Sequence, residues 1–191
     1  MISAILLAAG QSKRFKNENK LTKIFKKKRL INHVLNSLIK SKVNKITIVL
    51  GYEANKIKKI IKKNKKINFI TNTNFKNGIS SSIKTGIKKL SKNNKGFMVV
   101  QSDMPFINTS NINKIHRSIL KKEYLVHALK FKNRIGNPIG FDISALNKFR
   151  KMKGKYGAKF MVKKLKKSTN FIKVDSQKIF KDFDMKTDFR N

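Results

Sequence analysis

The segment Ile2-Ser3-Ala4-Ile5-Leu6-Leu7-Ala8-Ala9-Gly10-Gln11-Ser12 carries two signals in close succession. The near-continuous apolar run from Ile2 to Ala8 marks a strand buried on both faces, as at the centre of a parallel sheet. Gly10-Gln11-Ser12 then ends the strand and opens a polar loop over 9–20. The run lacks a basic leader and passes straight into polar residues, so it reads as a strand and not as a secretory signal.

The same alternation continues down the chain. Leu30, Ile31, Val34, Leu35, Leu38 and Ile39 recur at helical spacing, and 45–50 is a second strand ending at Gly51. A helix over 53–63 has Ile57, Ile60 and Ile61 as its apolar stripe. A third strand spans 67–71, a loop 72–78, and a helix 80–90 with a hydroxyl-rich start. The fourth strand, 96–101, stops at Ser102-Asp103-Met104-Pro105. Thr109 or Ser110 can cap the next helix, which carries Ile112, Ile115 and Ile119. A strand over 124–131 follows, then the turn Gly136-Asn137-Pro138, a short strand at 139–141, helices near 143–152 and 158–167, and a strand at 171–174. The tail from Asp182 is expected to be ordered at its start only. Such β-α alternation predicts an α/β fold, a doubly wound, mainly parallel sheet with helices on both faces. In such sheets ligands bind at the carboxyl ends of the strands, where the chain direction switches.

At 191 residues the chain suits one domain, 1–191, with a substantial core. No apolar run approaches the ~20 residues that span a bilayer. Cysteine is absent, which excludes disulfides, thiolate metal sites and cysteine nucleophiles. The expected compartment is the cytoplasm, with no membrane partner.

The formal charge of +38 admits two readings. A nucleic-acid-binding protein gathers its basic residues on one face or tail. Here lysine is spread along nearly every helix, as at Lys56, Lys58, Lys59, Lys62 and Lys63. Six of the 47 basic residues are arginine, the type suited to bidentate base and phosphate contacts. A background compositional bias fits better than one selected surface, so no specific nucleic-acid partner is expected. The bias makes the nine acids conspicuous: Glu18, Glu53, Asp103, Glu123, Asp142, Asp175, Asp182, Asp184 and Asp188.

Small residues at Ala8, Ala9 and Gly10 let backbone N–H groups approach a phosphate closely. Arg14 and Lys20 add mobile positive charge. A plain strand-to-helix turn with ordinary surface cations reads the same way, and the motif is neither a dinucleotide fingerprint nor a Walker loop. Asp103 follows the apolar 97–100 directly. A carboxylate at a strand's end, facing a phosphate loop, suits Mg²⁺, which takes one or two protein carboxylates and completes its shell with water and phosphate oxygens. It could equally cap the turn at Pro105. Asp184, in Asp182-Phe183-Asp184, is either the second carboxylate or the cap of a local turn. Gly78-Ile79-Ser80-Ser81-Ser82 sets a glycine and three hydroxyls at a helix N-terminus, a ready anion site. His33, His116 and His127 show no metal-ligand spacing and read as structural. Without a nucleophile–base constellation, a covalent mechanism has little support.

Assembled in order, these motifs resemble a known family. Leu7-Ala8-Ala9-Gly10-x-Ser12-x-Arg14-Phe15 with Lys20-Leu21 is similar to the signature loop of the MobA-like nucleotidyltransferases. The two alanines before the glycine resemble the MocA-like branch, the molybdenum cofactor cytidylyltransferases, where the guanylyltransferase branch more often has Ala-Gly-Gly. Val49-Leu50-Gly51-Tyr52-Glu53-Ala54, Gly78-Ile79-Ser80-Ser81-Ser82, Asp103-Met104-Pro105, Gly136-Asn137-Pro138, Gly157-Ala158-Lys159 and 182–188 resemble further family segments. Three departures stand out. Lys16 replaces a glycine after the Arg-Phe pair, Lys155 and Lys159 replace an Asp and an Arg, and Met185-Lys186 replaces Thr-Pro.

The resemblance implies a Rossmann-like, mostly parallel mixed sheet of the nucleotide-diphospho-sugar transferase type. It implies a Mg²⁺-dependent enzyme that transfers CMP from CTP to molybdopterin, releasing pyrophosphate and supplying molybdenum hydroxylases. Arg14, Lys20 and Asp103 would be catalytic and Asp103 and Asp184 would hold the metal. Leu7, Ala8, Ala9, Gly10, Ser12, Arg14, Lys20, Gly78, Ser80, Ser81 and Ser82 would bind the nucleotide. Two alternatives remain at this stage. One is the same fold using GTP or acting on a sugar, alcohol or isoprenoid phosphate; the other is a basic nucleic-acid-binding protein without catalysis.

Overall fold

The computed structural model describes residues 1–15 and 18–190; the departure at Lys16 lies outside them. Strand β1 (Ile2–Ala8) leads through the loop and a 3-10 turn at Lys20–Thr22 into a small hairpin, β2 (Ile24–Phe25) and β3 (Lys28–Arg29). Helix α1 (Leu30–Lys40), β4 (Lys45–Leu50), α2 (Ala54–Lys59), β5 (Ile67–Thr71), α3 (Ile79–Ile87), β6 (Gly96–Gln101) and α4 (Thr109–Leu120) follow. The chain then adds β7 (Val126–Phe131), β8 (Arg134–Asp142), α5 (Leu146–Arg150), α6 (Ala158–Lys164) and β9 (Thr169–Lys173). The main sheet runs β5-β4-β1-β6-β8-β7-β9. β5, β4, β1 and β6 are mutually parallel, while β8 pairs antiparallel with both β6 and β7, so the sheet is mixed.

The period of two in β1 shows why its sequence is apolar at every position but Ser3. Ile2, Ala4, Leu6 and Ala8 enter one core with Leu30, Ile31, Val34 and Leu38 of α1 and Ile112, Ile115 and Ile119 of α4. Ile5 and Leu7 enter the opposite core, with Ile83 of α3, Phe149 of α5 and Met161 and Val162 of α6. Each face is covered, as the alternation predicts. After β1 the chain builds outward through β4 and β5, then returns to β6 on the other flank of β1. The direction therefore switches between β1 and β6, and the crevice at their carboxyl ends is where such folds hold ligands.

Four local expectations need correction. The α4 cap is Asn108, not Thr109 or Ser110: its side chain accepts from Asn111 N–H while Asn111 reciprocates. α2 ends at Lys59, four residues early, and Ile60 and Ile61 pack from the turn beyond it. Gly136-Asn137-Pro138 is no turn; it lies inside the nine-residue β8. Leu129 pairs with Gly136 and Ala128 with Ile139, leaving Asn137 and Pro138 as a bulge. That bulge accommodates a proline with no N–H in an interior strand. Finally, the tail is ordered beyond its start. Phe183 is fully buried against Phe25 and Phe106, and Phe189 packs edge-on against Phe183 and Phe15. No helix among the described residues is long and apolar enough to cross a membrane.

Candidate active site

A cavity of about 550 Å³ opens at the carboxyl ends of β1 and β6. Leu7, Ala9, Gly10, Ser12, Arg14 and Lys20 line it from the first loop; Gly78 and Ser82 line it from the start of α3, Asp103 from the end of β6 and Asp184 from the tail. Ten of the residues singled out in the sequence thus share one wall system.

The first loop is held by its own side chains. Ser12 sits at φ 51° and its hydroxyl accepts the Lys20 backbone N–H at 3.1 Å, so the loop closes on itself. Asn19 is buried, accepts from Leu21 N–H and donates to the carbonyl of Tyr52. These bonds fix the backbone from which the Lys20 side chain departs. Gly10 has no heavy atom of the described residues within 4 Å of where a Cβ would stand. Its missing side chain is therefore unexplained by packing and leaves the backbone open to the cavity.

Lys20 Nζ donates to Asp103 Oδ2 at 2.7 Å and to Asp184 Oδ1 at 2.7 Å. The Lys20 and Asp103 side chains are 15% and 17% exposed, against 45% for Asp184. Arg14 Nη1 reaches Asp184 Oδ2 at 3.3 Å from the solvent side. Two elements deliver these acids. Ser102 Oγ donates to the Leu7 carbonyl at 2.6 Å, tying the β6 end to β1. Phe183 N–H donates to the Asp103 carbonyl at 3.0 Å, and Asp188 accepts the N–H groups of Asp184 and Met185. The tail is thereby clamped beside Asp103.

Burial acts against the Lys20 charge, but attraction from Asp103, joined by Asp184, outweighs it and raises its pKa above the ordinary lysine value. Burial also dominates at Asp103, and there it wins, pushing the carboxyl upward against the pull of Lys20. The asymmetry has a simple source: one ammonium is shared between two acids, so it gains more than Asp103 does. Asp103 Oδ1 is buried with no hydrogen-bond partner among the described residues. Hydrated divalent ions seek this donor set, two carboxylates with a spare buried lone pair in an already cationic position. No group of three or more His, Cys, Asp or Glu gathers among the described residues to hold a metal.

Ala8, Ser80 and Ser81 stand outside the cavity lining. The Ala8 side chain points into the core beneath α1. Ser80 is buried, with its N–H given to the Gly154 carbonyl. The Ser81 hydroxyl accepts from Asn72 and faces the carbonyls of Asn74 and Gly78, so it staples the loop before α3. Ala9 lines the cavity and also packs on Gly51, where a Cβ would stand 2.7 Å from the Ala9 Cβ. Gly78 is constrained by geometry: it has φ +92°, and a Cβ would lie 2.6 Å from the Gly154 carbonyl oxygen. His33, His116 and His127 all lie outside the cavity.

Sequence reasoning passed over Gln101, which lines the cavity as the one polar residue closing β6. Its Oε1 accepts from Asn137 Nδ2 at 2.8 Å, and Asn137 Oδ1 is buried without a partner. The signal was present in Gln101, a polar residue ending an apolar strand beside Asp103. Phe75 and Lys76, which belong to the family-like stretch 74–86, also line the cavity.

The fold is that of the nucleotidyltransferases. The fold superposes on Rv0371c from Mycobacterium tuberculosis H37Rv with a TM-score of 0.87 at 15% identity, over 99% of this chain and 95% of that one. It superposes on the manganese complex of Rv0371C with a TM-score of 0.76 at 14% identity, over 92% and 89%. A nucleotidyl transferase from Methanothermobacter thermautotroptrophicus gives a TM-score of 0.84 at 15% identity, over 100% and 94%. At these identities the superpositions establish the fold. Among curated protein sequences none matches. The model of the MobA-like NTP transferase domain matches residues 4–169, and the chain belongs to that family.

Proposed function

We propose that this protein acts as one catalytic unit over 1–191, transferring CMP from CTP to molybdopterin with release of pyrophosphate. The observation that carries the reading is the meeting of Asp103 and Asp184 around Lys20, at the mouth of the crevice that Gly10 leaves open. The family supplies the reaction class, and the paired Ala8-Ala9 before Gly10 supports the cytidylyltransferase branch. The double alanine is also compatible with the packing of Ala9 on Gly51, so nucleotide choice needs a direct test.

In this reading the acceptor's terminal phosphate oxygen attacks the α-phosphorus of CTP. The bond from that phosphorus to the bridging oxygen breaks, and pyrophosphate leaves. Backbone N–H groups around Gly10, with Arg14 and Lys20, hold the β- and γ-phosphates; Ser82 and Gly78 face the nucleotide from the opposite wall. Asp103 and Asp184 would hold a divalent ion, magnesium in our reading, whose chemistry there is to neutralise charge on the triphosphate and the incoming phosphate. The manganese bound by the structural relative supports that choice of ion class. Positioning and charge neutralisation carry most phosphoryl-type transfers, and the site offers both without a nucleophile.

A second acceptor is favoured by one specific observation. Gly154 touches the α3 start at Gly78; beside it Lys155 stands in place of the family acid, and Lys159, in α6, in place of the family arginine. More positive charge there suits a sugar, alcohol or isoprenoid phosphate as well as molybdopterin. Pyrophosphate release from each of the four NTPs, with and without molybdenum cofactor, separates the readings. Release from CTP only when the cofactor is present supports the proposal. GTP preference, or cofactor-independent turnover with another phosphate, replaces it. A magnesium-independent, salt-sensitive RNA shift with no turnover would make the protein a nucleic-acid binder.

A further inference from the structure

The geometry points to Lys20 as an internal counter-ion that holds the divalent-cation position of the nucleotide-free enzyme and must leave it before the cation can bind; this inference rests on the metal-binding reading above. Three observations carry it. First, the ammonium contacts both candidate ligand carboxylates at the same short distance, 2.7 Å, using Oδ2 of Asp103 and Oδ1 of Asp184. A divalent ion would need those same oxygens. Second, the Lys20 side chain is 15% exposed and its backbone is pinned by Ser12, so the ammonium is placed by a built loop and not by a wandering surface chain. Third, Lys20 and Gly10 line the same cavity, so the flexible four-carbon stem has an adjacent anion-binding space to turn into.

Competition for one pair of carboxylates has a thermodynamic consequence. While Lys20 occupies them, a free cation must displace an ammonium held by both acids, and its binding is weakened. A polyphosphate in the cavity offers Lys20 a better partner, leaving the two acids uncompensated and ready for the cation. Nucleotide and metal then bind with positive coupling, because each favours the same arrangement of one side chain. The enzyme would resist loading by metal alone.

The test measures Mn²⁺ binding, in the absence of nucleotide, by the loss of the free-ion electron paramagnetic resonance signal. Wild type, Lys20→Gln, Lys20→Arg and Asp103→Asn are compared, all checked by circular dichroism. Lys20→Gln should bind Mn²⁺ about tenfold more tightly than wild type, or better, since a competing charge is gone. Lys20→Arg, which keeps a cation, should stay weak, and Asp103→Asn should lose binding. Equal affinity in wild type and Lys20→Gln, with Asp103→Asn still abolishing binding, overturns the counter-ion role while leaving the metal site standing. Absence of Mn²⁺ binding in every protein, Lys20→Gln included, overturns both. Should Lys20→Gln not fold, acylation of wild-type lysines read by mass spectrometry serves instead. Mn²⁺ should raise the reactivity of Lys20 alone, and unchanged protection at saturating Mn²⁺ overturns the inference.

Discussion

Lys20 and Asp184 stand 164 residues apart in sequence, yet Nζ of one lies 2.7 Å from Oδ1 of the other. The same ammonium reaches Asp103, so a single cation offsets two acids, one nearly buried and one half-exposed at the rim of the crevice. Removing the cation leaves two facing carboxylates. Lys20→Met should lower the stability of the nucleotide-free protein by about 1–3 kcal/mol, read as a lower melting temperature. An unchanged melt would show the pair to be energetically idle.

Asp103→Asn tests the chemistry more directly. The amide keeps the size and one acceptor but loses the charge, so the fold should persist while nucleotidyl transfer falls by about 10²-fold or more. Pyrophosphate release and circular dichroism together check both halves. A near-normal rate removes Asp103 from the mechanism.

Gly10 and Gly51 make a matched pair. At Gly51 a Cβ would stand 2.7 Å from Ala9 Cβ and 2.9 Å from both Ala9 O and Phe75 Cβ. Gly51→Ala should therefore cost about 1–3 kcal/mol of stability and disturb the loop. At Gly10 nothing among the described residues lies within 4 Å, so Gly10→Ala should melt within about 0.5 kcal/mol of wild type. If phosphate rests on that backbone, CTP binding still weakens markedly in Gly10→Ala, a loss that calorimetry would register without any loss of fold.

The tail gives a fourth test. Asp188 accepts two backbone N–H groups, and although burial pushes its carboxyl upward, those bonds and the nearby Lys181 outweigh it and hold the pKa below the usual carboxylate range. Asp188→Ala should cost about 1 kcal/mol and reduce transfer through Asp184, which it positions. Phe183→Ala should cost about 3 kcal/mol, since its ring fills a fully buried aromatic cluster. Full activity in both variants would show that the tail is dispensable.

His127 sets an acid limit on stability. Burial lowers its pKa from 6.5 to about 4, partly opposed by the nearby backbone of Tyr124 and by the charges of Asp142 and Glu123. Its Nδ1 meets Ser118 Oγ at 2.7 Å, while Nε2 is buried without a partner. Between those two pH values the unfolded chain holds a proton that the folded chain excludes. Stability should therefore be intact above pH 6.5 and fall as the pH drops toward 4, by about 2–3 kcal/mol from this group. His127→Gln, which cannot titrate, should show a flatter melting profile over that window; identical profiles would exclude His127 as the cause.

Much of this molecule is written in short-range pattern. The apolar runs of β1, β4 and β6 announce strands buried on both faces, and the stripes of α1 and α4 announce the helices that bury them. Period and chain direction are local properties, so the sheet, its two covers and the loops at its carboxyl edge could be read from the residues alone. The scarcity of acids in a chain of +38 likewise drew attention to Asp103 and Asp184. Other features could not be read this way. Gly136-Asn137-Pro138 looks like a turn until the register of β7 requires a bulge, and the tail looks loose until Phe183 meets Phe25 and Phe106. The sharing of Lys20 between two distant carboxylates depends on the Phe183–Asp103 backbone bond and the Ser12 clasp, which no spacing along the chain encodes. Long-range pairings are set by the free energy of packing whole elements together, and that sum exists only once the chain has closed on itself.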